Sequence, residues 1–228
     1  MQANALDHVA LWVADRDPLA SFACEHLGMH VVDRTDDFTL VGADARRGKL
    51  TLFAAEGPRE PGVLERVVLR VSDLAAALKR LPDDLEVDQA DGVARFLGPE
   101  GLGLGLTQAS DVDVEYDIDH VVLRVPQPER TRDGLAELGL VPDGAARLVV
   151  GDKALLLAQA DVEEGERPLL NHIALLVDSG QEQLEDAKRR GIEVAEVRDA
   201  ANTFAVFVWG PDRIKLEYVE HKPTFSLV

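Results

Sequence analysis

Cysteine is almost missing from this chain. Cys24 is the single one in 228 residues, so no intrachain disulfide can form and a reducing, cytoplasmic setting is expected. Basic residues are also scarce: 24 Lys and Arg stand against 42 Asp and Glu, for a net charge of -18. Nucleic acid and anionic membrane both require a basic surface, so neither is an expected partner. No apolar run approaches the ~20 residues that span a bilayer, and no charged-then-apolar leader opens the chain. The 46% hydrophobic content is ample for packed cores. The expected partner is therefore a small-molecule substrate, with assembly into a homo-oligomer left open.

What the chain does have is one strand written four times. It reads Leu6-Asp7-His8-Val9-Ala10-Leu11-Trp12-Val13, and again from Leu64, Ile118 and Leu170, with the third residue of each copy at 8, 66, 120 and 172. Such a recurrence means duplicated structural units. Alternation sorts each copy into two faces. One is wholly aliphatic: Val9, Leu11, Val13; Val67, Leu69, Val71; Val121, Leu123, Val125; Ile173, Leu175, Val177. That face suits packing under a helix. The other carries His8, Arg66, His120 and His172, and it is where chemistry can sit.

Each unit reads as strand, helix, then three strands. In unit one Asp17-Pro18 signals a helix start and Gly28 its stop. Gly57 to Gly62 is a turn-rich linker, Ser72-Asp73 caps the second helix, and Pro82 ends it. The acidic stretch Asp111–Asp117 marks the main boundary, and a second acidic loop spans Asp161–Pro168. The expected fold is α+β, four βαβββ modules in two domains, residues 1–110 and 117–221.

The chemistry is expected in the second half. His120 and His172 hold equivalent positions in units three and four. In Ile214-Lys215-Leu216-Glu217-Tyr218-Val219 the alternation turns Glu217 to the polar face. A strand histidine alone is ordinarily a packed one; two at equivalent positions with a carboxylate form the non-haem iron(II) facial set, leaving coordination positions open. Manganese, zinc and nickel suit the same donors. In the first half Arg66 replaces the second histidine, and a fixed cation beside His8 makes a poor divalent site. That half is expected to be metal-free, with His8 a packed or relic residue.

Other features carry less. Gly101-Leu102-Gly103-Leu104-Gly105 has no helix after it, so its glycines read as clearing space on a sheet face rather than as a phosphate loop. Cys24 reads as a core residue. Trp12 and Trp209 read as packing or cavity-lining residues. Arg124, on the face of His120, suits an anionic substrate or a structural ion pair. His221 shares the face of Glu217 at the rim.

Four such units with strand-opening histidines and a glutamate in the last strand resemble the vicinal oxygen chelate superfamily of glyoxalases, bleomycin-resistance proteins and dioxygenases. The layout is most similar to the type I extradiol dioxygenases. The resemblance implies curved mixed sheets around a cavity, iron(II) held by His120, His172 and Glu217, and ring cleavage of a catechol-like diol. The sequence departs from those enzymes at their acid–base positions. Phe207 stands where a tyrosine is usual, Arg198 where a histidine is usual, and Lys153–Ala158 holds no histidine. Arg198 and Arg124 are then the candidate contacts to a substrate anion.

Overall fold

The computed structural model describes residues 1–162 and 167–227. The four units are all present. Unit one comprises β1 (Ala5–Val13), α1 (Arg16–His26), β2 (His30–Arg34), β3 (Phe38–Gly42) and β4 (Lys49–Ala54). Unit two comprises β5 (Leu64–Val71), α2 (Leu74–Leu78), β6 (Asp88–Ala90), β7 (Val93–Leu97) and β8 (Gly103–Gln108). Unit three comprises β9 (Asp117–Val125), α3 (Pro128–Glu137), β10 (Val141–Pro142), β11 (Arg147–Val150) and β12 (Lys153–Gln159). Unit four comprises β13 (Leu170–Leu176), α4 (Gly180–Arg190), β14 (Val194–Asp199), β15 (Thr203–Trp209) and β16 (Lys215–His221). The acidic loop expected at 161–168 lies partly outside the described residues.

Local chemistry starts and stops the helices where a side chain can satisfy the free backbone groups. Asp15, rather than Asp17, caps α1 by accepting from the Asp17 N–H, which puts Pro18 in the first turn, where its missing N–H is harmless. Asp73 and Ser179 cap α2 and α4 in the same way. Gly191 closes α4 at a φ of 68°, a left-handed conformation that suits glycine.

The helices cover the aliphatic strand face. All of its residues, from Val9 to Val177, are 3% exposed or less, and they join one continuous hydrophobic core. Cys24 is a free thiol packed partly buried against that core. The glycine run of β8 behaves as read: a Cβ on Gly103 would come within 2.0 Å of the Glu65 carbonyl oxygen, so only glycine lets β8 lie against β5 there. Among the described residues no helix is long and apolar enough to cross a membrane.

The pairing of units differs from the expected division at 1–110 and 117–221. One mixed sheet runs β14-β15-β16-β13-β1-β4-β3-β2, joining units one and four; the other runs β10-β11-β12-β9-β5-β8-β7-β6, joining units two and three. Each sheet draws half its strands from either side of the expected boundary. The physical reason is that every unit opens with the same alternating strand, so any two can pair across their first strands. Closing a longer loop adds only ~0.6 kcal/mol per doubling of its length, too little to enforce pairing of neighbours.

A buried polar cluster ties the sheets together. Lys153 Nζ donates to Asp117 Oδ1 at 2.8 Å and to the Leu6 carbonyl of β1 at 3.2 Å. Arg70 donates to the other Asp117 oxygen at 2.8 Å. Both Asp117 and Lys153 are under 5% exposed, so removing one partner strands a charge away from water. Asp117→Ala is expected to cost about 3–5 kcal/mol of unfolding free energy, the usual penalty for halving a buried pair. Urea denaturation checks it, and a loss under 1 kcal/mol would show that the pair is not holding the sheets.

Candidate metal centre

The antiparallel pairing of β1 with β13 sets Ala10 opposite His172 and His8 opposite Ala174. The two histidines are thus diagonal neighbours on one sheet face. β16 lies parallel to β13 with Glu217 beside Ala174, and this completes the cluster. His8, His172 and Glu217 place their ligand atoms within 4.8 Å of one another. The two Nε2 atoms are 3.3 Å apart, and Glu217 Oε2 lies 3.3 Å from His8 Nε2 and 2.7 Å from His172 Nε2.

His120 is not part of this centre. It sits on β9 in the other sheet, opposite Val68 and beside Ala154, with its Nδ1 2.6 Å from Asp119. The positions matching His8, Thr51, His172 and Glu217 there are Arg66, Gly105, His120 and Leu156, a set with one imidazole, one cation and no carboxylate. The argument against a metal beside Arg66 therefore applies to the sheet of units two and three, and His8 is a candidate ligand rather than a relic. Arg124 belongs to that second sheet too, where it donates to the Gly62 carbonyl at 3.0 Å. Arg198 lines the cavity of the first sheet together with Phe207 and His221.

The signal that could have found His8 lies in the fourth position of the set. Pairing unit four with unit three would aim Leu156 at the metal, whereas pairing it with unit one aims Thr51 there. A hydroxyl is the better neighbour for a coordinated cation.

The donors suit a divalent cation. Asp7 Oδ2 lies 2.8 Å from His8 Nδ1, and Asn171 Oδ1 lies 3.0 Å from His172 Nδ1. Both oxygens are acceptors, so each Nδ1 carries the hydrogen and each Nε2 turns a lone pair inward. Two lone pairs and a carboxylate facing one another repel unless a metal ion, or in its place a proton on His8, lies between them. Three protein donors with Thr51 in the fourth place leave positions open for substrate oxygens.

The charges of the centre are coupled. Burial works against a charged His8, but its hydrogen bonds to Asp7 and Glu217 outweigh it and raise the imidazole to about 9. Burial drives His172 down, with the His8 and Lys215 charges adding to it against Glu217. For Glu217 burial favours the neutral acid, yet His172 and His8 hold it well below the ordinary carboxylate range. Asp7 is also held low: its burial is offset by Lys49 at 2.8 Å and by His221 and His8.

The centre opens into a cavity of about 520 Å³. The chain has seven Phe, two Trp and two Tyr, and five of these aromatics, Trp12, Phe38, Phe53, Phe207 and Phe225, line this one space. Phe207 meets His172 edge-on at 5.1 Å, and Phe53 packs against Trp12, Phe38 and His172. His221, on the opposite side of Asp7 from His8, has Nε2 3.1 Å from Asp7 Oδ1 and stacks on Phe225 at 4.2 Å.

Purified protein is expected to bind about one divalent metal, lost in His8→Ala, His172→Ala and Glu217→Ala and kept in His120→Ala. Elemental analysis reads this, and loss in His120→Ala with retention in His8→Ala would reverse the assignment. The proton on metal-free His8 adds a pH dependence. A raised pKa favours the protonated folded state below 6.5 and loses that contribution as pH rises through about 9. Metal competes with this proton, so apparent affinity should climb between those values and then level off. A flat affinity profile from pH 6.5 to 9 would show that His8 is not a ligand.

A family model described as Glyoxalase/Bleomycin resistance protein/Dioxygenase superfamily matches residues 5–90. No curated protein matches by sequence. Among solved structures, a Bacillus subtilis protein provisionally named a dioxygenase superimposes with a TM-score of 0.80 at 20% identity, covering 98% of this chain and 87% of its own. Glyoxalase I from Zea mays gives 0.72 at 17% identity, covering 95% and 92%. The cppA protein of Streptococcus pneumoniae gives 0.64 at 14% identity, covering 96% and 100%. These likenesses establish a shared fold across nearly the whole length. The family match covers unit one and the first part of unit two, and the same unit recurs through to β16; residues 5–90 carry the glyoxalase/bleomycin resistance/dioxygenase superfamily pattern.

Proposed function

We propose that this protein is a metal-dependent enzyme that binds a vicinal diol and cleaves its ring in the manner of an extradiol dioxygenase. The observation that carries the reading is the His8–His172–Glu217 set, opening into an aromatic-walled cavity. Iron(II) is the metal such a set favours, and when bound it would chelate the two substrate oxygens and lower their pKa, with a position left for dioxygen.

The chain's own residues supply the rest. Asp7 and Asn171 hold the two imidazoles in the ligating tautomer. Trp12, Phe53 and Phe207 offer faces and edges for a flat ring and keep water away from it. A diol must lose a proton, and neither Phe207 nor the permanently charged Arg198 can take it. His221 can. Its Nε2–H faces Asp7, which leaves Nδ1 to accept a proton from the substrate hydroxyl, and it lines the same cavity.

Oxygen uptake by iron(II)-loaded protein, reconstituted anaerobically and then aerated, tests this across vicinal diols with monophenols as controls. Uptake with diols alone is expected, and His221→Ala should lower kcat ~10²–10⁴-fold with metal content unchanged. The phenylalanine and arginine at the usual acid–base positions favour one other reading, metal-assisted isomerisation or lysis of an oxygenated substrate. Bound iron with no oxygen uptake on any diol would move the assignment to that class. Full activity in His221→Ala would remove its proposed role.

A further inference from the structure

Units one and four are built alike, and one difference between them leaves a cation in the cavity without a counter-charge. In unit one, β4 opens at Lys49, beside His8 in the parallel register, and Lys49 forms a buried ion pair with Asp7 at 2.8 Å. In unit four, the pairing of Ile173 with Leu216 places Lys215 beside His172 in the same way. The residue matching Asp7 there is Asn171, which is neutral and has its Oδ1 engaged with His172. Lys215 thus faces the cavity without the carboxylate that its counterpart has. It makes no ion pair among the described residues; its ammonium lies over the rings of Phe207 and Trp209, at 5.6 and 5.7 Å. Glu196, an acid on that wall, is held by Arg198 at 2.5 Å, and Glu217 is engaged by His172 and His8, so neither is paired with the ammonium. The other sheet has Gly103 and Ala154 at the matching positions, so the two lysines occur only in the sheet that holds the metal ligands.

We propose that Lys215 recognises a carboxylate on the substrate, so that the ligand is an aromatic acid whose vicinal oxygens meet the His8–His172–Glu217 centre while its acid group meets the ammonium. The identification of the diol rests on the function proposed above; the anion site stands on the missing counter-charge. A single ammonium matches a monoanion better than a phosphate. Lys215 and His172 are lateral neighbours on adjacent strands, roughly 4.8 Å apart at the backbone, and both touch the ring of Phe207. That spacing suits an acid group borne close to the ring rather than on a long tail.

The test uses zinc-loaded full-length protein, which binds without turning over, and calorimetric titration with 3,4-dihydroxybenzoate, its methyl ester and benzoate. In wild type the acid should bind at least about tenfold more tightly than the ester, as a charge-assisted hydrogen bond would give. Lys215→Met should abolish that preference while leaving ester affinity and zinc content unmoved, and Lys215→Arg should retain most of it. Equal binding of acid and ester to wild type overturns the proposal. So does a Lys215→Met protein that weakens both ligands alike or loses zinc. If neither diol binds but benzoate binds wild type and not Lys215→Met, the anion site stands and the diol reading falls. If none of the three binds, both fall.

Discussion

The pairing of β1 with β13 is the constraint on which the rest depends. It joins residues 164 positions apart in the chain, His8 and His172, into one face with their Nε2 atoms 3.3 Å apart. Without it the first and last units would each own half of a ligand set. Backbone hydrogen bonds in that strand pair fix the register, and a slip of one residue by either strand would turn its imidazole into the aliphatic core. Val9 opposite Ile173 and Leu6 opposite Leu175, all buried, resist such a slip because it would put their side chains on the cavity face. Core packing and metal-site geometry are thus set by the same alternation.

Around that pair the charges form a graded network rather than a list of ion pairs. Asp7, 2% exposed, meets His8, Lys49 and His221 at once. A carboxylate so deeply buried is costly unless it is fully engaged, and here each of its contacts also orients a functional group. It sets the tautomer of His8, neutralises Lys49 and aligns His221. In unit four Asn171 orients its histidine without adding charge, which spares the centre a second buried anion and frees Lys215. The asymmetry between two otherwise matched units is what gives the cavity a polar end and an aromatic wall.

The four units, their aliphatic faces and two of the three clustered donors, His172 and Glu217, were legible in the sequence. Alternation and recurrence are local properties and survive in a single chain. The partner of each unit was not legible in the same way. All four first strands read alike, and the choice between joining unit four to unit three or to unit one is made by side chains far apart in sequence. Thr51 and Leu156 carry that information, but only once the register of β4 and β12 against their neighbours is known. Arg66 spoke against a metal beside it, as expected, though its neighbour across the sheet is β9 and not β1. The α1 cap moved by two residues, from Asp17 to Asp15, because either aspartate satisfies the local rule and only the backbone decides between them.

The second sheet poses the remaining physical question, since Arg66, Gly105 and Leu156 leave it without a ligand set. Gly103 lets β8 lie against β5, and Arg70 and Lys153 converge on Asp117. Lys153, held by that carboxylate, donates its other hydrogen bond to the carbonyl of Leu6. Leu6 lies on β1, one residue before Asp7 and two before His8. β1 is therefore fixed from two sides, by β13 within its own sheet and by Lys153 from the other. A metal set with a separation tolerance of a few tenths of an ångström needs its strands positioned at least that well. The sheet of units two and three supplies this without a ligand set of its own, by holding the strand that carries His8.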